Sequence, residues 1–255
     1  MRNRIIIYLK FLLNSKNEYG IHSPFVFNLV TKCLYKKNIS HGFQIWENYR
    51  KELFLNKNYI EVEDFGAGSK VFKSNRRQVS RIAKYTGISK KRAKLLIRLS
   101  HYLKFHSILE IGTSLGLCSA AISISNSEAN IKTLEGCGNT AQIANNMFLS
   151  HQLNNIRVMT GDFQETLDKS LQNTLYDLIY FDGNHSKDAT IQYFEKCLPY
   201  AQNDTLFLFD DIHWSQEMED AWNYIINHKK VKVSIDTFQW GLVFFRREQQ
   251  KEHFI

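Results

Sequence analysis

Three carboxylates and two imidazoles stand at the ends of apolar runs in the carboxyl-terminal half of the sequence. "LIYFDGNH" delivers Asp182 and His185, and "LFLFDDIHW" delivers Asp210, Asp211 and His213. Carboxylates that converge in one cleft repel one another unless a cation or a proton is shared. Asp182, Asp210 and Asp211 are therefore candidate ligands for a hard divalent ion such as Mg²⁺, which prefers oxygen donors. An imidazole beside them suits a general base near neutral pH. His185, His213 and Lys187 are the candidates. A metal-free arrangement stays open on the same residues, with Asp182 as a ligand contact, His185 or His213 as base and the other acids hydrogen-bonded.

A second stretch, "SILEIGTSLGLCSAAIS" at residues 107 to 123, is an apolar strand, a glycine turn and a helix start. A ligand-holding loop in an α/β sheet needs those three parts in that order. From Glu110 to Gly116 the pattern is E-x-G-x-x-x-G. Dinucleotide sites use G-x-G-x-x-G because backbone and helix terminus must approach a pyrophosphate. One glycine fewer suits a ligand without phosphates. The next strand ends in Glu135, where a carboxylate could accept hydrogen bonds from both hydroxyls of a ribose. A competing turn, "IEVEDFGAGSKVF" at 60 to 72, alternates charged with apolar residues like an exposed edge and runs into polar, basic sequence. It reads as a glycine turn of the amino-terminal region.

The elements that position these groups follow from periodicity. From Ser107 onward, "SILEIG", "NIKTLEG", "NIRVMTGD", "YDLIYFDG" and "TLFLFDDI" read as strands, with helices starting near Leu115, Asn139, Phe163 and Asp188. Short apolar runs alternating with helices predict a parallel sheet covered on both faces. In such a sheet consecutive strands finish at one edge, which gathers the acids beside the glycine turn. "VKVSIDTFQWGLVFFRR" is joined too tightly for a crossover helix, so its two strands should pair antiparallel. Residues 1 to 104 read as a mainly helical cap or substrate region and 105 to 255 as the α/β domain. Ser23 and Ser40 are candidate N-caps, and Pro24 suits a first helical position. His22 and Trp214 are candidates for a lid or pocket wall.

The opening "MRNRIIIYLKFLLN" reads as an amphipathic helix packed on its own protein. Lys10 interrupts the apolar run, which is too short to span a bilayer, and attachment to a membrane surface is the alternative. At 255 residues and 44% hydrophobic content the chain can bury a large core. Four scattered cysteines without a C-x-x-C pair favour reduced thiols, hence a cytoplasmic protein, over disulfides or a zinc site. The net charge of +8 comes from one place: eleven Lys or Arg and no acid lie between Lys70 and Arg98. That segment reads as a solvated helical face, with RNA or an anionic membrane surface as candidate partners. A small-molecule acceptor and a second copy of the chain complete the expected partners.

E-x-G-x-x-x-G, Glu135, "TGDF" and the terminal hairpin together resemble the class I S-adenosylmethionine-dependent methyltransferases. The resemblance implies a Rossmann-like α/β fold with a seven-stranded, mostly parallel sheet and an antiparallel last strand. It implies that Glu110, Gly112, Thr113 and Gly116 surround the methionine part of the cofactor and that Glu135 binds its ribose. Asp162 would contact the adenine amino group, with Phe163 beside the ring. Capping of the following turn or helix is the plain alternative for Glu135 and Asp162. The acid cluster is similar to that of metal-dependent small-molecule O-methyltransferases of the catechol and caffeoyl-coenzyme A types. By that likeness Mg²⁺ on Asp182, Asp210 and Asp211 would bind a substrate hydroxyl, with Asp182 also touching the cofactor and His185 standing where the catechol type has a lysine. "HSPFVF", "DFGAGS", "LEGC", "FDGNH" and "FDDIHWS" are similar to a bacterial methyltransferase group of Bacteroidetes type, which implies no particular substrate. Two other readings are weighed: an RNA methyltransferase using the basic segment, and a non-catalytic cofactor-binding protein. Against the former, the N-P-P-[YF] signature is absent, and no cysteine stands in a Pro-Cys pair.

Overall fold

The computed structural model describes residues 2–36, 42–63 and 72–255. Ser40, Lys70 and the glycines of the 60 to 72 turn lie outside them. The elements run in chain order as follows. Five helices and a short hairpin come first: α1 Arg2–Asn14, α2 Pro24–Leu29, α3 Phe43–Leu55, β1 Tyr59–Glu61, β2 Arg76–Gln78, α4 Val79–Tyr85 and α5 Lys90–Leu103. Alternation then begins with β3 Ser107–Ile111, α6 Leu117–Ser125, β4 Asn130–Glu135, α7 Gly138–Ser150, β5 Ile156–Thr160 and α8 Phe163–Leu171. It continues through β6 Tyr176–Phe181, α9 Lys187–Cys197, β7 Ala201–Asp210, α10 Gln216–Asn227, β8 Val233–Asp236, β9 Trp240–Phe244 and β10 Glu252–Phe254.

The large sheet has eight strands in the order β10-β8-β9-β7-β6-β3-β4-β5. It is mostly parallel, and β9 runs antiparallel to both β7 and β8. The expected count of seven falls one short. β10 adds to β8 in parallel, and three residues are too few to show a period in sequence. β7 also begins four residues before the apolar run, because Thr205 Oγ1 donates to the Tyr176 carbonyl at 2.7 Å and accepts from Gln202 N–H at 2.8 Å. Those bonds hold the polar "AQND" in the strand.

Two compact units divide the chain, one made of residues 1–35 with 173–255 and the other of residues 36–172. This division departs from a boundary near residue 104. In the 1–35 plus 173–255 unit, α1 lays Tyr8 and Phe11 on Phe238, with ring centroids 4.8 and 5.4 Å apart. Ser23 caps α2 by accepting from Val26 N–H, with Pro24 at the first helical position. β8, β9 and the last six residues of β7 are buried, as a sheet covered on both faces requires. In the 36–172 unit, β3, β4 and β5 pair in parallel with Ile111 opposite Leu134 and Leu134 opposite Met159.

Candidate active site

The turn after β3 is built from positive-φ backbone. Gly112 has φ +106°, Ser114 +49° and Gly116 +76°. Gly116 caps α6, and a Cβ there would stand 2.4 Å from Phe148 Cζ and 2.7 Å from the Tyr49 hydroxyl. Only glycine combines that conformation with that lack of space. Helix α3 braces the turn: Trp46 Nε1–H donates to the Leu117 carbonyl and the Tyr49 hydroxyl donates to the Leu115 carbonyl, both at 2.8 Å. Glu135, at the end of β4, fastens the turn to its neighbour. Its two oxygens accept Ser114 N–H at 2.7 Å and Cys137 N–H at 3.0 Å. The amides of Gly112 and Thr113 donate to the Leu134 carbonyl, and Gly161 N–H donates to the Glu135 carbonyl. The ends of β3, β4 and β5 therefore lie side by side, each carrying a residue of interest.

Beneath the turn, Glu110 is fully buried. One oxygen accepts from the Ser119 and Thr133 hydroxyls, while the other has no hydrogen-bond partner. Burial pushes this carboxyl up to about 7, against the hydrogen bonds of Ser119 and Thr133 and with the Glu135 charge adding to the rise. Thr113 Oγ1 lies 2.6 Å from Thr133 Oγ1. Asp162 caps α8, accepting Gln164 N–H at 2.8 Å, and is exposed, with the half-buried Phe163 next to it.

In the other unit, β6 and β7 run parallel with Phe181 opposite Phe209, so Asp182 and Asp210 leave their strands at the same edge. Asn184 and Asp211 both have positive φ, +49° and +51°. Non-glycine residues held there store strain, which collects at functional edges. His185 Nε2 lies 3.8 Å from Asp182 Oδ1, and its ring is 5.9 Å from that of Trp214. Asp210 is buried: Oδ1 accepts Asp211 N–H at 2.7 Å and Oδ2 accepts the Tyr180 hydroxyl at 3.2 Å. His213 is held between two carboxylates, with Nδ1 3.0 Å from Glu219 and Nε2 2.7 Å from Asp236. Burial alone would lower its pKa, but the bonds and charges of Asp236 and Glu219 together raise it. Its ring stacks on Phe238 at 5.3 Å.

Residues 109–212 match the family model described as a methyltransferase domain. Residues 109–212 are thus similar to a methyltransferase domain, carried on a Rossmann-like α/β fold. The fold is shared with solved structures at low identity. A methyltransferase of Podospora anserina with SAH bound is 15% identical over 89% of this chain and 97% of its own, with a TM-score of 0.61. An O-methyltransferase of Bacillus cereus in complex with SAH is 18% identical over 86% and 97%, with a TM-score of 0.57. The O-methyltransferase TomG of Streptomyces achromogenes, involved in tomaymycin synthesis and solved with SAM, is 15% identical over 87% and 95%, with a TM-score of 0.57. No curated protein matches the chain.

Within the fold the expected site residues fall into distinct groups. Gly112, Thr113, Gly116, Glu135, Asp162 and Phe163 come together at the strand ends of one unit; Glu110 supports the turn from below. Asp182 and His185 pair in the other unit. The proposed metal set is not assembled as expected. Among the described residues no three His, Cys, Asp or Glu side chains form a group that could hold a metal ion. Asp210 Oδ1 and Oδ2 accept Asp211 N–H and the Tyr180 hydroxyl respectively. His213 also departs from the role of base, because both ring nitrogens are committed to carboxylates. Lys187 is drawn to Asp220, 3.8 Å away. His22 is exposed.

Sequence reasoning passed over Tyr49, Trp46, Ser119 and Thr133. The register pairs Thr133 directly with Glu110, and Ser119 lies in the first turn of α6; each stands among other polar residues of its element, so neither was singled out by pattern. In the basic segment several cations have partners: Lys90 bridges to Glu47 at 2.5 Å, Lys94 lies over the Phe43 ring, and Arg77 and Arg81 lie over Phe72. Among the described residues no helix is long and apolar enough to cross a membrane.

Proposed function

We propose that this chain transfers the methyl group of S-adenosylmethionine to a hydroxyl of a small molecule, with His185 as general base. The observation that carries the cofactor half is the register of β3, β4 and β5, which brings the glycine turn, Glu135 and Asp162 to adjacent strand ends. The residues suit the cofactor: the turn's tight backbone receives the methionine part, Glu135 accepts the ribose hydroxyls, and Asp162 accepts the adenine amino group beside Phe163. When bound, S-adenosylmethionine supplies an electrophilic methyl group on a sulfonium.

The rest falls to side chains. His185 takes the acceptor's hydroxyl proton as the oxygen becomes a nucleophile, and Asp182 steadies the resulting imidazolium. Trp214, beside the His185 ring, forms an apolar wall that holds the acceptor. Transfer to oxygen is supported by the two O-methyltransferases of like fold. The test is methyl transfer from labelled cofactor into a panel of phenols, catechols and sugar hydroxyls, with and without EDTA. Labelled hydroxyl ethers formed in the presence of EDTA support the reading. Labelling of nitrogen only, or of none of the panel by a chain that binds the cofactor, refutes it; loss in EDTA restored by Mg²⁺ returns the acids to a metal.

A further inference from the structure

We propose that the cavity between α1, α10 and the end of β8 binds a free amino acid with an apolar side chain. Its volume is about 260 Å³, below the roughly 300–1,000 Å³ of pockets for drug-sized ligands. All of its lining residues belong to the 1–35 plus 173–255 unit, and the inference does not depend on the methyl-transfer reading. On one wall, Glu219 and Asp236 face the single imidazole of His213, at 3.0 and 2.7 Å. Two carboxylates against one imidazole leave at least one negative charge in excess among these three side chains. Lys10 lines the same cavity but lies beyond ion-pair distance of both acids. An ammonium group on the ligand is the complement of the acidic wall.

The remaining walls ask for a carboxylate and an apolar side chain. Trp222 lines the cavity and is 3% exposed, yet its Nε1–H has no hydrogen-bond partner. The benzo edge of that ring is turned to Gly241, where a Cβ would stand 2.5 Å from Trp222 Cζ3. The pyrrole edge, with the N–H, is therefore the one left to the cavity. A buried donor without an acceptor is costly. A ligand carboxylate that accepts from this N–H and meets the Lys10 ammonium removes that cost. Ile7, Phe11 and the Trp222 ring supply apolar surface between these polar ends. A plain amine would leave the indole N–H unpaired, and a plain acid would face the carboxylates of Glu219 and Asp236. An amino acid, a zwitterion at neutral pH, answers all three walls.

The experiment is isothermal titration calorimetry on the full chain. L-leucine is compared with isoamylamine, which lacks the carboxylate, and with isocaproate, which lacks the ammonium. Wild type is set beside Lys10→Met and Glu219→Gln. Lys10 is exposed, so thermal melting of Lys10→Met should match wild type and certify the fold. That variant carries the test alone if Glu219→Gln, which loosens His213, melts early. The expected result is that L-leucine binds at least about tenfold more tightly than either analogue and weakens at least about tenfold in Lys10→Met. Glu219→Gln, where folded, should weaken L-leucine and isoamylamine alike. Three results would overturn the proposal: no heat from L-leucine at millimolar concentration, an analogue that binds as tightly as L-leucine, or a Lys10→Met variant that binds L-leucine as wild type does.

Discussion

Glu110→Gln should flatten the pH dependence of stability between pH 4.5 and about 7. Glu110 is completely buried beneath the glycine turn, and its carboxyl is raised from 4.5 to about 7, chiefly by desolvation. Across that window the folded protein keeps a proton that the unfolded chain has released. Stability is therefore full below pH 4.5 and falls as pH climbs to about 7, after which this group adds no further slope. A displacement of about 2.5 units at roughly 1.4 kcal/mol each gives about 3 kcal/mol lost across the window. Glutamine keeps the shape and the oxygen that accepts from Ser119 and Thr133 but has no proton to release. Its own cost is a constant offset. Urea melts at half-unit steps from pH 4.5 to 8 would show the gap between wild type and variant shifting by about 3 kcal/mol in the variant's favour. In thermal melts that is roughly 6–12 °C for a chain of this size. A variant whose stability follows the same pH slope as wild type would refute the account, and would mean that water or a cation reaches the unpaired Glu110 oxygen.

Three further predictions concern the turn, the half-buried His213 and the proposed base. Gly116→Ala should destabilise the fold by about 2–4 kcal/mol through left-handed strain and the contact with Phe148 and Tyr49, and calorimetry should show weakened S-adenosylmethionine binding even where the variant remains folded. His213→Gln strips the shared cation from Glu219 and Asp236 and should cost about 3 kcal/mol near pH 6 in denaturant melts. Because His213 is raised, its contribution is complete below the ordinary histidine pKa of about 6.5 and fades as pH rises through the folded value, so the deficit should shrink in alkali. His185→Gln should lower methyl transfer by about 10²–10⁴-fold with cofactor affinity unchanged, whereas an equal fall in cofactor binding would move His185 out of the role of base.

What the sequence disclosed and what it withheld divide along physical lines. Gly112 and Gly116 were legible because a tight strand-to-helix turn needs positive φ, and that demand is local. The alignment of Glu135 and Asp162 with that turn was legible because parallel strands of similar length, joined by single helices, end together. The parts that stayed hidden depend on partners far along the chain. Tyr49 reaches Leu115 across 66 positions and Trp46 reaches Leu117 across 71. No period in "FQIWENYRKELFL" announces that its aromatic edges hold the carbonyls of a turn in another segment.

The paired acids after β7 teach the sharper lesson. "DD" at a strand end reads as two ligands aimed at one ion, yet the backbone gives the two residues different tasks. Asp210 still belongs to the strand, paired opposite Trp240, and its carboxylate folds back onto Asp211 N–H and the buried Tyr180 hydroxyl. Asp211 has left the strand at φ +51°, a conformation that the bond from its own amide to Asp210 helps to hold. Composition counts both as carboxylates available for chemistry; the geometry makes the first a brace for the second. The same distinction bears on His213, since an imidazole acts as a base only with a nitrogen lone pair to offer. Asp236 and Glu219 take both of its nitrogens, and they arrive from β8 and α10, elements whose placement beside the loop after β7 follows from the pairing of β9 rather than from any spacing in the sequence. His185, by contrast, lies 3.8 Å from Asp182 Oδ1, beyond close hydrogen-bonding distance.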